Sequence, residues 1–178
     1  MTQPVLVVTD VQERLFAAMD AERRDDMVRN LKILLTAARR LDTPIIVTEQ
    51  YPKGLGRTLP ELRVLLGDTP AIEKTSFSAC GATGFADRLA NHAAEPVILT
   101  GVEAHVCVLL TALDLLGKGY RVSVVADAVC SRRAATMDVG LAQARQAGAV
   151  ITSTETVVFQ LLGSSDTEAF REVSKLLR

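Results

Sequence analysis

The stretch Val97-Ile98-Leu99-Thr100-Gly101-Val102-Glu103-Ala104-His105-Val106-Cys107-Val108 decides how this chain is read. Its first four residues are apolar or β-branched, the pattern of a buried strand. They run into His105–Leu116, whose helical spacing ends at Gly117 and Gly119. A strand passing directly into a helix is the repeating unit of a parallel α/β sheet. The same alternation extends in both directions. Strands are expected at Val5–Thr9, Ile45–Glu49 and Ala71–Glu73 before this stretch, and at Val122–Ala126 and Val150–Thr152 after it. Helices are expected over Arg24–Leu41, Pro60–Leu66, Thr83–Asn91, Ala134–Ala147, Thr156–Leu162 and Thr167–Leu177. The first carries Met27, Val28, Leu31, Leu34, Leu35 and Ala38 on one face, and Asp42-Thr43-Pro44 stops it. Tyr51–Thr58, with Pro52, Gly54 and Gly56, reads as a loop.

Strands alternating with helices imply a three-layer α/β/α domain with a six-stranded, mainly parallel sheet. The expected strand order is the Rossmann-like 3-2-1-4-5-6. No repeat or linker interrupts the alternation, so residues 1–178 are expected to form one domain. Sheets of this kind bind ligands beyond the carboxyl ends of the strands, where the winding reverses. Here that point lies between strands one and four, just after Thr9 and just after Thr100.

Bulk properties narrow the function. The 178 residues carry a net charge of −1, which offers no electrostatic footprint for nucleic acid or an anionic membrane. Apolar runs such as Val5–Val8 are too short to span a bilayer, and the N-terminus lacks the pattern of a signal peptide. Three scattered cysteines make no disulfide framework, so a cytoplasmic, reducing setting is expected.

Three reactive side chains fall at the carboxyl edge of the sheet. Asp10 follows strand one, Lys74 follows strand three, and Cys107 follows strand four. Cys107 is expected in the first turn of a helix, where the dipole and unpaired N–H groups favour a thiolate. Lys74 would add to that effect, and Asp10 could take the thiol proton and return it to a leaving amine. Backbone N–H groups around Glu103–Cys107 could hold an oxyanion. Taken singly, each residue has a plain structural reading: Asp10 with Glu13 as a capping box, Lys74 as a loop lysine, Cys107 as a small core residue.

A histidine base is disfavoured. His105 stands two positions from Cys107, on a different helical face, and His92 ends a helix near the opposite edge of the sheet. With two separated histidines and no ligand spacing, no metal is expected. Gly54-x-Gly56-x-x-Leu59 is a broken dinucleotide fingerprint without a helix start, so no nucleotide cofactor is expected either. Gln50 and Tyr51 end strand two at the active edge, and they are candidates for shaping a pocket together with His105.

Three segments resemble the motifs of the isochorismatase-like cysteine hydrolases: Val7-Val8-Thr9-Asp10-Val11-Gln12, Glu73-Lys74-Thr75-Ser76-Phe77-Ser78 and Thr100-Gly101-Val102-Glu103-Ala104-His105-Val106-Cys107-Val108. Asp127-Ala128-Val129-Cys130-Ser131-Arg132 also resembles a segment common there. The resemblance implies an Asp–Lys–Cys triad at Asp10, Lys74 and Cys107. It implies a non-proline cis peptide at Val102–Glu103, aiming the N–H groups of Glu103 and Cys107 into an oxyanion hole. It further implies a homo-oligomer. Gln12, Leu15 and Phe77 join the candidate pocket residues through the same motifs, Leu15 standing where members often have an aromatic. Nicotinamidases of the superfamily bind a metal through an Asp-x-His arrangement after strand two. Glu49-Gln50-Tyr51-Pro52-Lys53-Gly54-Leu55-Gly56 has no histidine and is most similar to the metal-free branch. The expected function is therefore metal-independent hydrolysis of a small amide through a Cys107 thioester. A vinyl-ether hydrolase, and a family member acting by binding or assembly, are the alternatives.

Overall fold

The computed structural model describes residues 3–92 and 94–177. Six strands form one parallel sheet in the order β3-β2-β1-β4-β5-β6. They are β1 (Gln3–Thr9), β2 (Ile45–Gln50), β3 (Ala71–Lys74), β4 (Ala94–Val102), β5 (Val122–Cys130) and β6 (Val150–Thr152). The helices, in chain order, are α1 (Glu13–Ala17), α2 (Arg24–Arg40), α3 (Pro52–Leu55), α4 (Pro60–Leu66), α5 (Phe85–Asn91), α6 (Leu109–Gly117), α7 (Ala134–Gln146), α8 (Thr154–Leu162) and α9 (Glu168–Val173).

The central strands are apolar throughout because helices cover both faces. On β1, Leu6 and Val8 face one core, while Val5 and Val7 face the other. The first core is closed by α2, α4, α8 and α9, with Leu31, Leu34, Leu62 and Val158 fully buried. Each such side chain contributes on the order of 2 kcal/mol of transfer free energy. The second core is closed by α5, α6 and α7, through Phe85, Leu89, Ala112, Leu115 and Met137. Layering the helices this way leaves the carboxyl edge of the sheet free to carry polar side chains.

Glycine is required where β1 and β4 converge. Gly101 pairs with Thr9 at φ +100°, and a Cβ there would sit 2.1 Å from the Thr9 carbonyl oxygen. No other residue permits that approach, and Asp10 leaves the sheet immediately beside it.

Several elements depart from the sequence expectation: α1 was not expected, and the expected helix Thr167–Leu177 is α9 followed by a 3₁₀ turn over Ser174–Leu177. The expected helix His105–Leu116 begins instead as a five-residue π-helical turn, Ala104–Val108, which passes into α6. β5 continues past Asp127 to Cys130 because its register with β4 shifts between Leu99 and Gly101, so the polar Asp127 sits in an irregularity. The expected loop Tyr51–Thr58 contains α3, started by a proline at its first position, where the missing N–H has no partner to lose.

Candidate active site

The carboxyl edge gathers polar groups from four adjacent strands. Asp10 lies just past β1 in the left-handed region, φ 53°, which an aspartate adopts only where its surroundings hold it. Lys74 is the last residue of β3, and Cys107 stands in the π-turn after β4. The Asp10 and Lys74 side chains are wholly buried, and Cys107 is 5% exposed.

Lys74 Nζ is 2.7 Å from Asp10 Oδ2, a buried ion pair. The ammonium donates to Gln50 Oε1 at 2.6 Å and to the carbonyls of Ser76 at 3.1 Å and Phe77 at 3.0 Å. With Asp10 Oδ2, four acceptors thus surround an ammonium that has three protons. Asp10 Oδ1 accepts from Thr48 Oγ1 at 2.7 Å, whereas the buried Oδ2 has no hydrogen-bond partner among the described residues. Asp10 thus keeps one acceptor oxygen in reserve, electrostatically held by Lys74 and free to receive a proton.

The Cys107 thiol is strongly biased towards its protonated form. Burial pushes it up to about 12, the Asp10 charge adds to the rise, and the Lys74 cation pulls the other way. The sequence reading has the helix start and Lys74 favouring a thiolate; enclosure in the π-turn with a carboxylate beside it acts in the opposite direction. Thr111 anchors this turn, donating to the Cys107 carbonyl at 2.6 Å and accepting from Ala79 N at 2.9 Å.

The Val102–Glu103 peptide is cis. The Glu103 carboxylate accepts from Arg132 N at 3.0 Å and Arg132 Nε at 3.1 Å. His105 Nδ1 shares a hydrogen bond with Ser131 Oγ at 2.9 Å. On the far side Gly140 of α7 presses against the turn, where a Cβ would meet His105 Cα at 2.7 Å.

The candidate pocket residues separate. Gln50 joins the triad through Lys74, its amide fixed by donation to Thr75 O at 2.9 Å. Tyr51 and Phe77 are 55% and 60% exposed on either side of the Lys74 segment. Gln12 does not project into a pocket: fully buried, it donates to the carbonyls of Gln50 and Gly56 and accepts from Gln50 N, clamping two loops. Leu15, partly buried, packs against the first core. The Asp10 capping box is absent, since α1 begins at Glu13 behind Gln12 and Asp10 is engaged by Thr48 and Lys74. Thr48, Thr111 and Gly140 were not singled out in the sequence, whereas Ser131 and Arg132 lie in the Asp127–Arg132 segment noted there for its resemblance. Period-two spacing from Gln50 was the clue to Thr48, because alternate residues of a strand share a face.

Near the end of β2, Glu49 is buried against Thr58 and Arg57. Burial works against its charge, but the Thr58 N–H, the Arg57 guanidinium and the Thr58 hydroxyl outweigh that and hold the carboxyl below the ordinary range. Among the described residues no group of three or more His, Cys, Asp or Glu side chains is arranged to hold a metal ion.

The isochorismatase domain model matches residues 4–156, most of the chain. The chain belongs to the isochorismatase family. Family relatives include isochorismatase domain-containing protein 2 of Xenopus laevis, 42% identical over 144 residues that span 81% of this chain and 69% of that protein. Among solved structures of the isochorismatase-like fold, the MAR1 ribonuclease from Caenorhabditis elegans superposes with a TM-score of 0.92 at 43% identity, covering 99% of this chain and 90% of that one. YcaC from Pseudomonas aeruginosa, solved with hexane-2,5-diol and covalent acrylamide, gives 0.90 at 26% identity over 98% of this chain and 88% of that one. This family membership makes the chain an isochorismatase-like hydrolase.

Proposed function

We propose that the chain hydrolyses small amides through a thioester on Cys107, using its own residues as nucleophile and base. The observation that carries this reading is the buried Asp10 Oδ2, left without a hydrogen-bond partner beside a thiol that both Asp10 and Lys74 influence. Burial and the Asp10 charge push the thiol up to about 12, so the attack proceeds with the proton leaving as the sulfur bonds. Asp10 Oδ2 takes the proton as Sγ forms its bond to the amide carbonyl carbon. The carbonyl electrons move onto oxygen, where the N–H groups of Glu103 and Cys107 receive the charge. On collapse the C–N bond breaks and the nitrogen leaves as an amine carrying the proton from Asp10. Water, deprotonated by Asp10, then attacks the thioester, releasing the acid and restoring the thiol. Lys74 stabilises the charged form of Asp10 between these transfers.

YcaC was solved with covalent acrylamide, a small amide that bonds to nucleophiles through its terminal alkene carbon, and this supports a reactive nucleophile in that relative. A vinyl-ether hydrolase needs no thiol, so Cys107 favours the amide. The three free cysteines suit a reducing compartment such as the cytoplasm. Partly exposed Leu110 and Leu113 on α6 and Val139 on α7 suit a homo-oligomer, measurable by light scattering.

A ribonuclease reading enters through the C. elegans relative. The triad argues against it, because the Lys74 protons are already committed and a net charge of −1 offers RNA no cationic cradle. The test is a screen of small amides and a short RNA with wild type and Cys107→Ala, reading ammonia release, RNA cleavage and adduct mass. Ammonia release and an acyl adduct that both vanish in Cys107→Ala support the amide reading. RNA cleavage that survives in Cys107→Ala, without amide turnover, overturns it.

A further inference from the structure

The segment Asp127–Arg132 is not absorbed by the triad, yet its last two residues are tied twice to the turn that carries Cys107. Ser131, 1% exposed, meets His105 Nδ1 through its hydroxyl, while its carbonyl accepts from Asp20 N at 3.1 Å. Arg132 donates from both N and Nε to one oxygen of Glu103, a carboxylate that is itself 7% exposed. The backbone at Glu103 follows the cis peptide, and the Glu103 side chain is the one gripped. His105 is pressed from behind by Gly140. The turn is therefore held by side chains on one side and by a helix backbone on the other, and neither hold touches Asp10 or Lys74.

We propose that Ser131 and Arg132 are positioning residues that set the oxyanion-binding N–H groups, acting through His105 and Glu103, for the amide chemistry proposed above. They touch neither substrate nor sulfur. Loosening them should weaken stabilisation of charge on a carbonyl oxygen while leaving the reactivity of the thiol intact. That distinction separates positioning from general damage.

Two small reagents make the separation. Acrylamide adds Cys107 Sγ to its terminal carbon: the S–C bond forms, the C=C electrons shift towards the carbonyl, and its oxygen carries the transient negative charge. Asp10 takes the thiol proton, and a proton then returns to the carbon next to the carbonyl. Iodoacetamide instead forms an S–C bond as the C–I bond breaks: Asp10 takes the thiol proton and passes it to water, and the charge leaves on iodide. Both rates would be followed by intact-protein and peptide mass spectrometry for wild type, Ser131→Ala, Ser131→Thr, Glu103→Ala and Glu103→Gln, with thermal unfolding as the check on folding. The expected result is a loss of about tenfold or more in the acrylamide rate for the two alanine variants, as for partial loss of one oxyanion donor. The iodoacetamide rate should stay within about twofold. The conservative variants Ser131→Thr and Glu103→Gln, which keep an oxygen acceptor, should recover most of the loss. Equal losses with both reagents, or no loss with either, overturn the proposal. A wild-type Cys107 inert to both overturns the thiol reading and this inference with it. If one alanine variant fails to fold, the other decides alone.

Discussion

Asp10 and Lys74 form a buried pair whose members depend on each other. Removing the cation with Lys74→Met strands a buried carboxylate, and breaking such a pair costs about 3–5 kcal/mol. A lowered midpoint in urea unfolding, together with lost amide turnover, is the expected outcome. Asp10→Asn keeps the shape but removes the proton acceptor, so kcat should fall by roughly 10²–10⁴ while far-ultraviolet circular dichroism stays unchanged. The thiol makes a separate claim on pH. Its unfolded value lies at 9.0 and its folded value at about 12, so the folded state holds the proton more tightly. Its contribution to stability is fully present below pH 9 and is lost as pH rises towards 12. Cys107→Ala should flatten the fall of the melting temperature over that alkaline window; an unchanged slope would show that the thiol is not enclosed. The identities of the reactive residues were legible in the sequence, because strand ends put them at one edge. The state of the sulfur was not, because it depends on how deeply the π-turn buries it.

At the scale of elements, Gly140 sets the approach of α7 to the turn. Gly140→Ala places a methyl group 2.7 Å from His105 Cα, where backbone and not a flexible side chain must yield. Overpacking of this kind typically costs about 1–3 kcal/mol, and here it should also lower kcat without raising KM. Steady-state kinetics beside a denaturant titration would read both. Helix and strand order came through in the sequence because continuous apolar runs mark strands covered on both faces. What did not come through were places where the backbone departs from a repeating period. The β5 irregularity hid Ala128, Val129 and Cys130 behind Asp127, and the π-turn shifted the expected start of α6. Short α1 and α3 left no periodic trace, since four or five residues span little more than one turn.

The net charge of the whole molecule is −1, and the ion pair of the candidate site is buried, so salt has little to screen at that site. The kcat/KM for a neutral amide should stay flat across an ionic-strength series; a steep fall with salt would point to an anionic substrate steered by surface charge. Tyr51 and Phe77, whose backbones bond to Lys74, stand exposed beside the closed floor of buried Asp10, Lys74 and Cys107 side chains.

That closed floor also governs how the protein looks to a thiol chemist. Cys80 is partly open, whereas Cys107 and Cys130 are buried. A bulky aromatic disulfide such as Ellman's reagent, applied to the native protein, should count Cys80 and pass over both Cys107 and Cys130. An assay that reports accessible thiols would thus register one ordinary cysteine out of three, and slighter reagents would be needed to reveal the proposed nucleophile.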